Sequence, residues 1–274
     1  MDQFTDKVVI VTGAGRGLGR CHALEFAKRG ARVVVNDIGG AVDGTGTGPT
    51  AQSVVDEITG FGGQAIANTA SVANEDAAKS IVDDAIEAYG SVDIVVNNAG
   101  ILRDKTFANV TLENFRAVID VHLMGAVFVT KAAWPLMAKK QWGRVVFTSS
   151  GAGIFGHFGQ SNYASSKMAL IGLMNVLSLE GEPKGIRVNT LAPGAITRMT
   201  AHLQDPNRKG TPEQVSPAVL YLCSEYAPQG VILQAADGRF STVSVQVSEA
   251  IDLGTDVQFE DFIEARFQLG IESP

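Results

Sequence analysis

The segment from Lys7 to Gly19 constrains the fold of this chain more than any other feature of the sequence. A β-branched run ends at Thr12, glycines follow at positions 13, 15, 17 and 19, and helical spacing begins at Arg20. Strand, glycine turn and helix in this order open a βαβ unit, in which the turn approaches a pyrophosphate at the helix N-terminus. The segment therefore predicts an α/β fold with a nucleotide site at the turn.

Strands and helices continue to alternate through most of the chain. Further strands are predicted at Arg32–Asn36, Gln64–Asn68, Val92–Asn97, Val145–Phe147, Ile186–Leu191 and Gly230–Ala235. Helices are predicted at Arg20–Arg29, Ala51–Thr59, Glu75–Tyr89, Thr111–Lys139, Ser161–Leu179 and Pro212–Cys223. Such alternation implies right-handed crossovers and a parallel sheet that is buried on both faces.

Composition limits the partners that this chain can have. A net charge of −7 over 274 residues gives no basic surface for nucleic acid or an anionic membrane. Cys21 and Cys223 are too few for a disulfide scaffold, and no metal-ligand spacing occurs. The N-terminal segment differs from a signal peptide, the C-terminus lacks a targeting tripeptide, and we expect no membrane-spanning stretch. These features predict a cytoplasmic protein with a small-molecule substrate.

The residues after the second strand indicate which dinucleotide binds. Asp37 ends that strand, where a carboxylate accepts hydrogen bonds from the adenosine ribose and repels a 2′-phosphate, which favours NAD. Arg16 is the opposing signal, because a cation in the glycine turn can pair with that phosphate. Five glycines between Ile38 and Thr50 predict a flexible surface loop beside this site.

The stretch from Ser149 to Lys167 carries the predicted chemistry. Tyr163 and Lys167 are four residues apart, so they share one helix face and can act on one substrate atom. We expect the ammonium, together with a helix start capped by Ser161, to lower the pKa of the phenol. Ser150 ends the preceding strand and is expected to face the same pocket.

These motifs resemble those of the short-chain dehydrogenase/reductase family in order and spacing. The matching segments are Thr12–Gly19, Asn97–Gly100, Ser150, Tyr163 with Lys167, and Pro193–Gly194. The resemblance implies a single-domain Rossmann-type doubly wound parallel sheet with helices on both faces. It also implies NAD(P)-dependent hydride transfer between nicotinamide and a carbonyl or secondary alcohol. Within the family, Asn36–Gly40, Asn98–Asp104 and Ser161–Tyr163 resemble the hydroxyacyl-CoA dehydrogenases.

The resemblance also assigns roles to individual residues. Tyr163 would be the general acid/base, Lys167 would hold the ribose hydroxyls and lower the phenol's pKa, and Ser150 would hydrogen-bond the reacting oxygen. His122 stands where the family usually has asparagine, and both a catalytic relay and a core histidine remain open for it. The residues expected to bind the cofactor are Gly13, Arg16, Gly17, Leu18, Gly19, Asp37, Ser71, Val72, Asn98, Ala99, Gly100, Tyr163, Lys167, Pro193, Gly194, Ile196 and Thr197.

Two helices in the second half of the chain are apolar nearly all round. The segments are Thr111–Lys139 and Ser161–Leu179. One stripe of each faces the sheet, and the remaining apolar surface needs another cover. We therefore expect a homodimer or homotetramer joined by these helices.

The sequence predicts a catalytic domain over residues 1–240 and an extension over 241–274 that lines the pocket or a subunit interface. The extension alternates Val243, Val245 and Val247 like an edge strand, then places Phe259, Phe262, Ile263 and Phe267 at helical spacing. Its acids are Glu249, Asp252, Asp256, Glu260, Asp261, Glu264 and Glu272, against Arg266 as the one basic residue.

The substrate is predicted to be a secondary alcohol or ketone on an apolar skeleton. Phe155, Phe158 and the extension would supply the apolar surface. Resemblance favours a 3-hydroxyacyl thioester, but an acidic extension would repel a polyphosphate carrier, so a hydroxysteroid-like alcohol is ranked level with it. The alternatives are an NADP-dependent carbonyl reductase and a catalytically silent nucleotide-binding regulator.

Overall fold

A computed structural model describes residues 3–197, 210–265 and 268–270. The chain divides into two compact units, Met1–Thr242 and Val243–Pro274. The division falls two residues after the boundary expected from the sequence, and the role predicted for the extension stays a prediction. Arg266, Phe267 and Glu272 lie outside the described residues.

The first unit is built on one sheet of eight strands. Their bounds are β1 Val8–Thr12, β2 Arg32–Asn36, β3 Gln64–Asn68, β4 Ile94–Asn97, β5 Gly143–Thr148, β6 Ile186–Gly194, β7 Ile232–Ala236 and β8 Arg239–Val243. The order across the sheet is β3-β2-β1-β4-β5-β6-β7-β8. The pairs from β3 to β7 are parallel. The predicted α/β fold with a doubly wound, mainly parallel sheet is therefore confirmed.

Helices connect these strands, and one further helix lies in the second unit. Their bounds are α1 Gly17–Ala27, α2 Thr50–Gly60, α3 Glu75–Tyr89, α4 Leu112–Ile119, α5 Gly125–Lys140, α6 Gly151–Phe155, α7 Ser161–Gly181, α8 Ser216–Cys223 and α9 Phe259–Ala265. Val9 and Val11 of β1 join a buried cluster with Phe26 of α1 and Val219 of α8. Ile10, between them, is also fully buried. A strand with both faces covered must be apolar throughout, which explains the sequence of β1.

The connection between β4 and β5 is one long helix with an irregular middle. Thr111 caps α4 by accepting a hydrogen bond from the N–H of Asn114, and a π-helical segment, Asp120–Met124, joins α4 to α5. By length and composition the helix Leu112–Lys140 could also cross a membrane, contrary to the sequence expectation; 39% of its most apolar window is buried within the chain. Its position as a crossover over the sheet accounts for the apolar inner face.

Two local predictions from the sequence need correction, and one strand was missed. Helix α7 is capped by Gln160 rather than Ser161, because Ser161 already lies within the helix. The last regular strand, β8, ends at Val243, and Val245 and Val247 lie in irregular chain. β8 follows β7 through Asp237 and Gly238, both at positive φ, which is the turn of a tight hairpin and was missed from sequence.

Candidate active site

The glycine turn lies where the strand order reverses, between the carboxyl ends of β1 and β4. Gly13 and Gly17 have φ of 64° and 54°, a region that favours glycine. A Cβ on Gly13 would lie 2.7 Å from the Cα of Ala99, so the two loops approach too closely for a side chain there. The Nδ2 of Asn98 donates to the carbonyls of Thr12 and Gly13 at 2.9 and 3.0 Å. Asn98 therefore fixes the turn on which the cofactor would rest.

A cleft of about 390 Å³ opens at this edge of the sheet. It brings together many of the residues expected to bind the cofactor: Gly13, Arg16, Gly17, Leu18, Gly19, Asp37, Ser71, Val72, Asn98, Ala99, Gly100 and Thr197. The cleft fits a dinucleotide because α1 begins in it at Gly17, and the first N–H groups of a helix have no partner within the helix and can bind a pyrophosphate. Asp37 provides the carboxylate that an adenosine ribose requires.

Asp37 is held in place by three donors. Its Oδ2 accepts from the N–H of Gly15 at 2.8 Å, and its Oδ1 accepts from the N–H of Gly39 at 2.6 Å and from the Oγ1 of Thr50 at 3.2 Å. Thr50 was not identified from the sequence, since nothing local links it to Asp37. Carboxylate oxygens have further lone pairs, so Asp37 can still accept hydrogen bonds from a ribose.

The glycine-rich loop between β2 and α2 is irregular, as predicted, but it is hydrogen-bonded along its length rather than free. Gly48 N–H donates to Ile38 at 3.1 Å, and Leu102 N–H donates to Val42 at 2.9 Å. The Nη1 of Arg16 donates to the carbonyl of Gly40 at 3.1 Å. The guanidinium that could have paired with a 2′-phosphate therefore binds the backbone of this loop.

The three residues with predicted chemical roles lie together at the neighbouring edge, after β5. Ser150 caps α6, and its hydroxyl acts on the phenol of Tyr163 so as to lower the pKa of that phenol. The Nζ of Lys167 lies 5.5 Å from the centre of the Tyr163 ring and donates to the carbonyl of Thr148 at 2.6 Å. This arrangement offers a reacting oxygen one proton donor, one hydroxyl and a nearby ammonium.

The predicted lowering of the phenol's pKa is wrong for the protein without cofactor. Burial raises the pKa of Tyr163, and the carboxylate of Asp104 raises it further, while the hydrogen bond from Ser150 lowers it. Burial also lowers the pKa of Lys167 to about 7. Lys167 is thus only partly protonated at neutral pH, and the cost of desolvating a phenolate exceeds the help that its neighbours give.

His122 lies in the π-helical segment and is buried against Tyr163. The two rings meet edge to face, with centroids 5.2 Å apart. Its Nε2 lies 3.0 Å from the N–H and 2.8 Å from the carbonyl of Ile101. Burial, with Lys167 nearby, holds its pKa well below the usual range, so the imidazole is neutral. His122 packs as a core residue while touching the phenol, and its predicted relay role stays a prediction.

The remaining residues expected to bind the cofactor lie at the end of β6 or shortly after it. Pro193 and Gly194 are its last residues, paired with Ala235 and Ala236 of β7. Ile196 N–H donates to the carbonyl of Gly210 at 2.8 Å, and its side chain is half exposed. Thr197 lines the cleft. They lie at the carboxyl edge of the sheet, where ligands of open α/β sheets bind.

A comparison with protein families settles which family has this site. The model of the family described as short chain dehydrogenase matches residues 7–209. The chain belongs to the short chain dehydrogenase family. It is an oxidoreductase that acts on CH–OH groups, as the sequence predicted.

Individual short chain dehydrogenases confirm the narrower resemblance. Rv0148 of Mycobacterium tuberculosis, a short-chain type dehydrogenase/reductase, is 52% identical over 82% of this chain and 80% of its own length. Mouse peroxisomal multifunctional enzyme type 2 is 47% identical over 81% of this chain but only 30% of its own length. The structure of a 7α-hydroxysteroid dehydrogenase with NADH and 7-oxo glycochenodeoxycholic acid is 33% identical and superposes with a TM-score of 0.79, covering 86% of this chain and 95% of that one.

Proposed function

We propose that this protein uses NAD to interconvert a secondary alcohol and a ketone on an extended apolar skeleton. The observation that carries the proposal is the grouping of Ser150, Tyr163 and Lys167 beside a cleft shaped for a dinucleotide. Bound NAD would supply the hydride acceptor. The chain's own residues would handle the proton and the reacting oxygen.

The residues have different roles at the reacting oxygen. Tyr163 exchanges the proton with it, and Ser150 donates a second hydrogen bond, so charge that develops there is stabilised from two sides. Lys167, anchored on the carbonyl of Thr148, provides positive charge near the phenol. Asn98 and the glycine turn keep the cofactor site at a fixed position relative to these groups.

The chain between Ser150 and Tyr163 favours an apolar substrate. Phe155 ends α6 and Phe158 follows in the next loop, and their side chains are 72% and 87% exposed. Exposed aromatic rings in the segment that joins Ser150 to Tyr163 suit an acyl chain or a steroid skeleton. The likeness to a hydroxysteroid dehydrogenase supports a steroid substrate. The likeness to peroxisomal multifunctional enzyme type 2 is consistent with a 3-hydroxyacyl thioester. We keep both as candidates.

A substrate panel tests the proposed function. We expect NAD-dependent oxidation of 3-hydroxyacyl-CoA esters or of hydroxysteroids, followed by nicotinamide absorbance, and weak turnover of short alcohols. Measurement at low and high salt separates the two candidates, since salt relieves repulsion of a charged carrier by an acidic protein. Turnover confined to small, charged 2-hydroxy acids would contradict the proposal, and no turnover of any alcohol with intact NAD binding would favour the regulatory alternative.

The preference for NAD over NADP rests on two side chains. Asp37 presents a carboxylate at the ribose position, and Arg16 is engaged with the carbonyl of Gly40. The hydroxysteroid dehydrogenase that superposes on this chain was solved with NADH, which supports the same choice.

We also propose that the protein is a homodimer or homotetramer joined through α4, α5 and α7. Leu112, Met168, Val176 and Leu179 are exposed by 42% to 74%, and burying them in a partner is favoured by roughly 25 cal/mol per Å² before association costs.

Light scattering at micromolar concentration is expected to show at least a dimer. Val176→Asp, in the middle of α7, should shift the population towards monomer because a carboxylate would be buried at the interface. Phe61→Asp is the matched control, since Phe61 is comparably exposed but lies outside α4, α5 and α7. A wild-type monomer, or equal dissociation of both variants, would exclude this interface.

We further propose that the protein functions in the cytoplasm. Cys21 and Cys223 are both buried free thiols, which suits a reducing compartment. Fractionation of cells that make the native protein tests this proposal.

A further inference from the structure

The segment that follows the cofactor loop contains a carboxylate beside the active site. Asp104 lies between β4 and α4, and its Oδ2 accepts a hydrogen bond from the Nε2 of Gln160 at 2.7 Å. Its Oδ1 is buried, and within the described parts of the chain no donor reaches that oxygen. A buried carboxylate oxygen without a donor is costly, so its position calls for a functional reason.

The same segment is attached to the start of α7 at further points. Lys105 and Gln160 form an isolated parallel bridge, and the Nδ2 of Asn162 donates to the carbonyl of Arg103 at 3.1 Å. The Oδ1 of Asn162 in turn accepts from the N–H of Tyr163 at 2.8 Å. Asp104 is therefore tied, through two neighbouring residues, to the helical turn that presents the catalytic phenol.

Among the described residues, four side chains act on that phenol from the elements packed around it. Ser150 from the start of α6 favours its ionised form, His122 from the π-helical segment contacts the ring edge, and Lys167 from α7 lies on the ring side. Asp104 is the fourth and the only carboxylate among them. The nearby guanidinium of Arg103 points away, to the carbonyl of Asp43 and the side chain of Asn114.

We propose that Asp104 is a positioning residue of this active site, which sets a negative charge beside the phenol of Tyr163. The backbone bridge and the Asn162 contact of its segment keep the carboxylate at the start of α7. The charge disfavours phenolate and so favours the protonated form, which is the general acid for a carbonyl oxygen. Asp104 would thereby keep Tyr163 protonated to higher pH, so that the general acid for ketone reduction is present at neutral pH. The inference rests on the proposed acid/base function of Tyr163.

Asp104→Asn removes the charge and keeps the shape, with an amide oxygen that can still accept from Gln160. Alcohol oxidation requires phenolate, so kcat/KM rises with pH through the pKa of Tyr163. We expect the rise of kcat/KM with pH to occur about one pH unit lower in Asp104→Asn than in the wild type. Asp104→Ser, which removes the charge without adding bulk, is measured in parallel in case the asparagine variant fails to fold.

Gln160→Ala is the matched control, because it removes the hydrogen bond and keeps the carboxylate. If the role of Asp104 were purely structural, the rise of kcat/KM with pH would move equally in Asp104→Asn and Gln160→Ala. The proposal predicts that it moves only when the charge is lost. NMR titration of the tyrosine ring carbons, with Tyr163 assigned by Tyr163→Phe, measures the same shift without turnover. Failure of the proposed substrates would thus leave this test intact.

Coinciding titrations of the wild type and both charge-removing variants would overturn the inference. An equal displacement in Gln160→Ala would also overturn it, since the contact would then act through structure alone. The expected result is that Tyr163 titrates at lower pH in the two charge-removing variants and at the wild-type pH in Gln160→Ala.

Discussion

Tyr163→Phe is expected to lower kcat by about 10³-fold or more, because it removes the proton partner of the reacting oxygen. The ring is enclosed by Lys167 and His122, and phenylalanine can occupy the same space. NAD affinity should therefore change little. Steady-state kinetics with the best alcohol of the panel, together with fluorescence titration of NADH, measures the two effects separately.

Lys167→Ala provides the contrast to this variant. Its side chain lies beside the phenol and lines a small void that shares Val72 and Ala99 with the cofactor cleft, so its loss should weaken both NAD binding and kcat. Lys131→Ala, an exposed lysine on α5, controls for the removal of a positive charge as such. If Tyr163→Phe retained a sizeable share of wild-type kcat, the acid/base assignment would be wrong.

Asp37→Asn is expected to reduce the preference for NAD by about 100-fold in the ratio of kcat/KM values. The change removes a charged acceptor of ribose hydrogen bonds, which contributes about 1.5–3 kcal/mol, and also removes the repulsion of a 2′-phosphate. Use of NAD should fall, and use of NADP should rise or stay level. The measurement compares kcat/KM for the two cofactors in wild type and variant.

Thr50→Val separates charge from loop geometry in this experiment. It deletes the hydroxyl that donates to the Oδ1 of Asp37 at 3.2 Å but leaves the carboxylate. We expect a modest loss with NAD and no gain with NADP. A wild-type enzyme that prefers NADP would contradict the assignment of Asp37 and would direct attention to Arg16.

Much of the fold could be read from short stretches of sequence. The strands β2 and β3 and the helix α3 coincide with their predicted bounds. Continuous apolar runs identify strands buried on both faces, and the 3.6-residue period identifies helices. Prediction failed where chain far away in sequence decided the outcome. The hydrogen-bonded course of the glycine-rich loop is such a case, because its partners include Leu102. The hairpin strand β8 was missed although its signal, the Asp237-Gly238 turn, is local.

The candidate site shows the same division. Gly13 and Gly17 were identifiable because their positive φ is a local requirement of the turn. The spacing of Tyr163 and Lys167 was likewise sufficient to place them on one helix face. Thr50 and Asp104 were not identified, because each acts on a residue that is distant in sequence and local spacing carries no signal of such a contact.

By itself, the sequence determined the α/β architecture, the glycine turn after β1 and the placement of Tyr163 and Lys167 on one face of a helix. These features follow from backbone sterics and periodicity over a few residues. The tertiary structure alone decided the proton affinities at the site. The pKa of Tyr163 is raised and that of Lys167 is lowered to about 7 because packing removes both from water. Desolvation depends on every element that packs around a group, so its effect appears only when the chain has folded.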